Sequence, residues 1–134
     1  MIVCEFASPG PLRDRLVGAV LRGDKTATSL LLVEWHVENA PLPKPGERQT
    51  VIDSAGEPVA VIETSSVEVT RLSEVDLGTA LAEGEDFTTV AEWRREHERY
   101  WTQEVLPALP PESARPLTDE TEIVIQWFRL MNDG

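Results

Sequence analysis

"VAVIETSSVEVTRL", residues 59–72, is the longest strand-like run in the chain, and the fold turns on how it is read. Its β-branched content and period-two alternation make it a strand, with Val59, Val61, Glu63, Ser65, Val67 and Val69 on one face. Just before it stand "TVIDS" (50–54), a short strand, and "AGEP" (55–58), a hairpin turn. An antiparallel pair is therefore expected here, and the rest of the chain has to supply its neighbours.

Upstream, "SPGPLRDRLVGAVLRGDK" (8–25) carries helix punctuation. Pro11 suits a first turn, Leu12, Leu16, Ala19 and Val20 share a face, and Gly23 offers a left-handed cap. "TATSLLLVEWHV" (26–37) reads as a strand ending near Asn39, and "APLPKPGERQ" (40–49) as a proline-rich loop. Downstream the period changes. "LSEVDLGTALAEGED" (72–86) holds a short helix over 77–83, and "FTTVAEWRREHERYWTQEVLPAL" (87–109) a longer one with a Thr89/Glu92 capping box. After a second proline-rich connector, "ETEIVIQWFRLM" (120–131) returns as a last strand. Helix, strands, two helices and a closing strand predict an α+β fold, a small curled antiparallel sheet or barrel with flanking helices, as one domain over 1–134.

The net charge of -12, from 12 basic and 24 acidic residues, has most of its excess beyond Arg71, in "EGED", "REHE" and "LTDETE". Such a surface repels phosphate backbones, so neither DNA nor a long polynucleotide is expected as partner; a small, weakly charged ligand meets no such objection. No apolar run approaches a membrane span and no basic-then-apolar leader is seen, so a cytoplasmic protein without a membrane partner is expected. The single Cys4 is expected to be a buried, inert thiol.

The residues that could carry chemistry are few. In an extended strand Lys25 and Thr28 would face opposite sides, so they meet only if Lys25 belongs to the turn after Gly23 and folds back. Either the pair is a lysine base beside a threonine nucleophile, or it is a solvated lysine and a strand threonine. Glu63, in an otherwise apolar row, must be paired, hydrogen-bonded, beside a pocket, or at an edge open to water. Glu83, Glu85 and Asp86 could hold a hard cation, supply a general base, or form a solvated loop. His97, with Trp93, Tyr100 and Trp101 at helical spacing, is either a satisfied core histidine or part of an aromatic wall for a flat base. Backbone N–H groups around Thr26 and Ala27 are candidate oxyanion donors. Zinc finds no ligand spacing among Cys4, His36 and His97, and neither a Gly-rich phosphate loop nor a Ser/His/Asp arrangement is present.

In their shared order, "LRGDKTAT" (21–28), "PLPKPGE" (41–47), "DSAGEPVAVIETSSVEV" (53–69), "LAEGED" (81–86) and "WRREHERYW" (93–101) resemble the ASCH domain family, whose members have a PUA-like β-barrel fold and are associated with RNA metabolism. Small bacterial members of that family remove the acetyl group from N4-acetylcytidine with a lysine and threonine in G-x-K-x-x-T and a glutamate in A-E-x-E. The resemblance places these roles on Lys25 (activator), Thr28 (nucleophile) and Glu85 (proton transfer); Thr26, Glu63, Trp93 and His97, singled out from the residues themselves, are the substrate-binding candidates, and no cofactor is expected. Other ASCH proteins are assigned metal-stimulated cleavage of single-stranded RNA, or bind RNA without chemistry. The resemblance therefore implies a small nucleoside or short single-stranded RNA as partner, with a divalent metal near Glu83, Glu85 and Asp86 only in the ribonuclease case. Two departures stand out. Longer relatives show E-G-E-G-D where this chain has Glu83-Gly84-Glu85-Asp86, and the small amidohydrolases carry an arginine at the position of Leu30.

Overall fold

The computed structural model describes residues 2–131. Its elements run β1 (Ile2–Cys4), α1 (Pro11–Arg22), β2 (Ala27–Leu31), α2 (Leu32–Glu38), β3 (Arg48–Ile52), β4 (Pro58–Arg71), α3 (Leu77–Ala82), α4 (Val90–Tyr100) and β5 (Glu122–Leu130). The strands form one five-stranded sheet in the order β1-β3-β4-β5-β2. The α+β class and the curled sheet with flanking helices are as the sequence predicts. β4 is the spine: its first half pairs with β3 and its second with β5. Register shifts at Val51/Ile52 and Thr64/Ser66 add local bends to this long strand.

One pair departs from an antiparallel arrangement, since β1 runs parallel to β3. Parallel neighbours need a long crossover, and α1, β2 and α2 together provide it. A second departure corrects the strand expected over 26–37. The strand stops at Leu31, whose partner Ile123 lies next to the start of β5, so further residues would have no ladder to join. There the Glu34 side chain accepts the Leu31 N–H at 3.0 Å and starts α2, which ends on Asn39 in the left-handed conformation.

Each face of the sheet carries its own core. Val17 and Val20 of α1 pack with Phe6, Val51, Ile62 and Phe128 on one side. On the other, Ala80 of α3, Trp93 of α4 and Trp101 pack with Ala27, Leu31, Ile123 and Ile125. Arg13 is buried too, but as a clamp: it donates to the carbonyls of Phe6, Ala7 and Asp53 and pins the loop before α1. Cys4 is half-buried rather than fully buried as expected, and the burial it has pushes its thiol up to about 12.

Candidate functional site

The site begins at the end of α1. Gly23, at φ 83°, takes the left-handed cap, and the N–H groups of both Asp24 and Lys25 turn back onto the Ala19 carbonyl at 2.9 and 3.1 Å. Lys25 thus belongs to the turn, and its side chain runs inward with 1% of its surface exposed. Its Nζ donates to Ala27 O at 2.9 Å, to Glu83 O at 3.3 Å and to Glu83 Oε1 at 3.2 Å. Three acceptors thus surround the nitrogen, as many as the hydrogens a lysine ammonium has to offer.

Glu83 arrives from α3. Asp76 caps that helix by accepting the Thr79 N–H at 2.9 Å, and its inward face is Thr79, Ala80 and, one turn on, Glu83. Gly84 follows at φ 70° and lies against the turn of Asp24 and Lys25; a Cβ there would stand 2.7 Å from Asp24 C and O and Lys25 N. Only glycine permits this approach. Beside it, the Thr26 N–H donates to Ala82 O at 2.7 Å, so the two segments are strapped together.

Around Glu83 the donors are complete. Its Oε2 accepts from Ser29 Oγ at 2.6 Å and from Trp93 Nε1 at 2.8 Å, with His97 Nε2 at 3.4 Å. Burial alone would raise this carboxyl. The charges of Lys25 and His97, with hydrogen bonds from His97 and Ser29, outweigh burial and hold it ionised, well below the usual carboxylate range. His97 is fixed in turn by its Nδ1 contact to Trp93 O at 2.8 Å, and its ring stacks on Trp93 with centroids 4.3 Å apart. Burial works against the imidazolium, but Glu83 and the Trp93 carbonyl favour it more strongly, and the His97 pKa is raised.

Glu85 is the contrasting carboxyl. It is half-buried, and no hydrogen bond or ion pair holds it among the described residues. Burial raises its pKa, against the partial relief of Lys25. Its chain neighbours Gly84 and Asp86 line a cleft of about 520 Å³ together with Asp24, Leu81, Phe87 and Thr88. Asp86 holds φ 64°, a conformation that glycine adopts freely and that aspartate tolerates better than most residues.

Of the residues singled out from sequence, Lys25, Glu85, Trp93 and His97 come together here. Thr28 does not join them: along β2 the buried positions are Ala27, Ser29 and Leu31, so the hydroxyl that reaches the cluster is Ser29. Thr28 faces the other side, paired with Gln126. Thr26 contributes backbone, its side chain being exposed. Glu63 is bound by Arg48 and Arg129 on neighbouring strands, and their hydrogen bonds lower its pKa. Sequence reasoning missed Ser29, and it weighed Glu83 only as one of three neighbouring carboxylates, not as the partner of Lys25. The signal for Glu83 was its spacing, three and four residues after Ala80 and Thr79 on the inward face of α3.

Glu83, Glu85 and His97 also bring ligand atoms within 4.8 Å of one another. They do not fit a metal ion well, because Glu83 already accepts from Lys25, Ser29 and Trp93, and a cation would have to displace those donors. Among the described residues no helix is long and apolar enough to cross a membrane.

The structure defines an α+β protein with a curled sheet and a buried ionic cluster where its first helix meets its third. The ASCH domain model matches residues 3–132, and the chain belongs to the ASCH domain family, with its PUA-like, generally RNA-associated fold. It is similar to the crystal structure of an ASCH domain from Lactobacillus crispatus JV V101, with a TM-score of 0.82 and 23% identity over 96% of this chain and 77% of that one, a likeness of fold alone. It is also similar to a crystal structure from Enterococcus faecalis V583, of a protein placed in the family DUF984, with a TM-score of 0.83 and 28% identity over 98% of this chain and 76% of that one. Among curated proteins, none matches.

Proposed function

We propose that this ASCH domain serves RNA metabolism by binding a nucleoside-sized ligand in the cleft beside Glu85. The observation that carries the reading is the cleft lined by Gly84, Asp86 and Phe87, with Glu85, a half-buried carboxyl for which no hydrogen bond is found among the described residues, between Gly84 and Asp86 in the chain. A carboxyl so placed gains from a base that offers ring or exocyclic N–H groups, while Phe87 supplies a surface for stacking. Lys25 and Glu83 set the frame that holds the Gly84–Thr88 segment in place.

The second reading is hydrolysis of a modified nucleoside of the N4-acetylcytidine type. The raised pKa of Glu85 favours it, since such a carboxyl suits general acid and base work. Its lysine and threonine steps lack that support here, because Lys25 Nζ is held by Ala27 O and by Glu83, and Thr28 faces away from it. Cleavage of single-stranded RNA is disfavoured by charge. Of the seven basic residues that could form a lane, Arg13 and Lys25 are buried, Arg22 pairs with Asp24, Arg48 with Glu63, and Arg71 with Glu74 and Glu120, which leaves Arg15 and Lys44 as its exposed members outside an ion pair among the described residues.

Calorimetric titration of cytidine and N4-acetylcytidine into the wild type and Glu85→Gln tests the first reading, with chromatography of the same mixtures testing the second. Saturable binding that weakens in Glu85→Gln is expected. Equal binding by both proteins would remove Glu85 from the site, and cytidine release lost in Glu85→Gln would favour the hydrolase.

A further inference from the structure

Both nitrogens of His97 face acceptors. Nδ1 lies 2.8 Å from the Trp93 carbonyl and Nε2 lies 3.4 Å from Glu83 Oε2. One atom each of His97, Glu83 and Glu85 fall within 4.8 Å of one another, so a second carboxylate stands beside the ring. Only an imidazolium has a proton on each nitrogen, and the geometry therefore suits the charged ring. Other charges approach from three elements. Lys25 reaches the same Glu83 from the turn after α1, Arg15 of α1 acts on Glu85, and Glu96 precedes His97 on α4 and feels its charge. The rings of Trp93, Trp101 and Phe87 lie around it, with centroids 4.3, 5.3 and 5.9 Å away.

The segment that meets His97 is pinned at both ends and loose between them. At one end the Thr26 N–H donates to Ala82 O, and Gly84 lies against the backbone of Asp24 and Lys25. At the other, the Thr88 N–H donates to Glu92 Oε1 at 2.9 Å. Glu85, Asp86 and Phe87 remain, and among the described residues no hydrogen bond holds their backbone. Two of the three meet His97, Glu85 through its carboxylate and Phe87 through its ring. Were the imidazolium lost, Glu83 would keep Lys25, Ser29 and Trp93 as donors, whereas Glu85 has no hydrogen bond to fall back on. Lys25 and Arg15 also attract Glu85, but imidazole is the side chain whose ordinary pKa lies near neutrality.

We propose that His97 is a pH-operated latch on the cleft wall: its imidazolium draws Glu85 and Phe87 toward α4, and loss of its proton releases residues 85–87. In the neutral state two carboxylates would face a ring nitrogen without a hydrogen, and Phe87 would lose a cation near its face. Burial opposes the charged ring, but Glu83, the Trp93 carbonyl and Glu85 outweigh it and raise His97 above 6.5, so the latch is closed below that value and opens on the alkaline side. The device needs no ligand, and it stands or falls apart from the nucleoside-binding reading.

Magnetic resonance of isotope-labelled protein from about pH 5 to about pH 9, the range that brackets an imidazole, tests it. The His97 ring signal is told from that of exposed His36 by its loss in His97→Gln. His97 should titrate above 6.5, and the amides of Glu85, Asp86 and Phe87 should shift with the same midpoint. Their order parameters should fall from about 0.85 toward about 0.6 on the alkaline side. The step at 85–87 should be absent in His97→Gln, and the His97 midpoint should move down in Glu85→Gln. A His97 midpoint at or below 6.5, no step at 85–87, or a step that survives His97→Gln would overturn the latch. An unmoved His97 midpoint in Glu85→Gln, which leaves the Lys25–Glu83 pair untouched, would overturn it as well.

Discussion

Glu83 Oε1 lies 3.2 Å from Lys25 Nζ, with 1% of each side chain exposed and 58 residues between them in sequence. This contact joins the turn after α1 to the end of α3, and it gives the motif lysine a structural duty. The ammonium neutralises a carboxylate that would otherwise stand buried and uncompensated, while Ser29 and Trp93 fill the remaining acceptor sites.

Breaking one half of a buried, hydrogen-bonded pair costs about 3–5 kcal/mol. Lys25→Met should lower unfolding stability by that order in urea titrations, and the double variant Lys25→Met/Glu83→Gln should lose less than the sum of the two single changes. Loss below about 1 kcal/mol for Lys25→Met, the scale of an exposed pair, would show that the pair is not buried in solution. For the same reason Glu85→Gln is a cleaner activity control than any change at Lys25.

The cluster also fixes how stability responds to pH. Glu83 is held below its ordinary value of 4.5, so its contribution is present above that value and lost as pH falls toward its depressed pKa. His97 is raised above 6.5 by Glu83, the Trp93 carbonyl and Glu85, so its contribution is complete below 6.5 and lost as pH rises through the folded value. Chemical denaturation across pH should show a plateau between these limits. His97→Gln should flatten the alkaline limb and leave the acid limb; an unchanged alkaline limb would contradict the assignment.

Two neighbouring left-handed residues should respond in opposite ways. Gly84→Ala puts a Cβ 2.7 Å from the backbone of Asp24 and Lys25 and strains φ, and should cost more than about 2 kcal/mol. Asp86→Gly relieves a left-handed aspartate and should raise thermal stability by up to about 1 kcal/mol. Scanning calorimetry of both variants checks the pair, and equal destabilisation would contradict the loop geometry.

On β2, the adjacent hydroxyls separate the structural role from the one the family motif implies. Ser29→Ala removes a 2.6 Å donor from Glu83 and should cost about 1–3 kcal/mol. Thr28→Val should leave stability and cleft binding close to wild type. If Thr28→Val instead abolishes turnover of N4-acetylcytidine with the fold intact, the threonine acts in a rearranged state and the hydrolase reading gains.

Much of the fold was legible because local chemistry marks it. Pro11 and Gly23 bound α1 where expected, Thr89 and Glu92 cap α4, and the alternation of residues 59–71 makes β4. The helix at Leu32–Glu38 was not legible, since "LLVEWHV" suits either state and the choice depends on where β5 begins. At the site, Lys25 was marked by rarity and Glu85 by the family pattern. The role of Glu83 was hidden because its partners, Lys25, Ser29 and Trp93, are brought together only by packing between distant segments. Likewise, the side of β2 on which Thr28 falls is set by pairing with β5, which a single strand does not encode.

The central claim, a nucleoside cleft beside Glu85, is tested most directly by titrating cytidine into isotope-labelled protein and following amide and indole resonances. The expected result is saturable shifts at Gly84, Glu85, Phe87 and Thr88 and at the Trp93 indole N–H, with β3 and the start of β4 unmoved. Absence of shifts up to the solubility of the ligand, or shifts confined to the opposite end of the sheet around Val59 and Leu130, would contradict it.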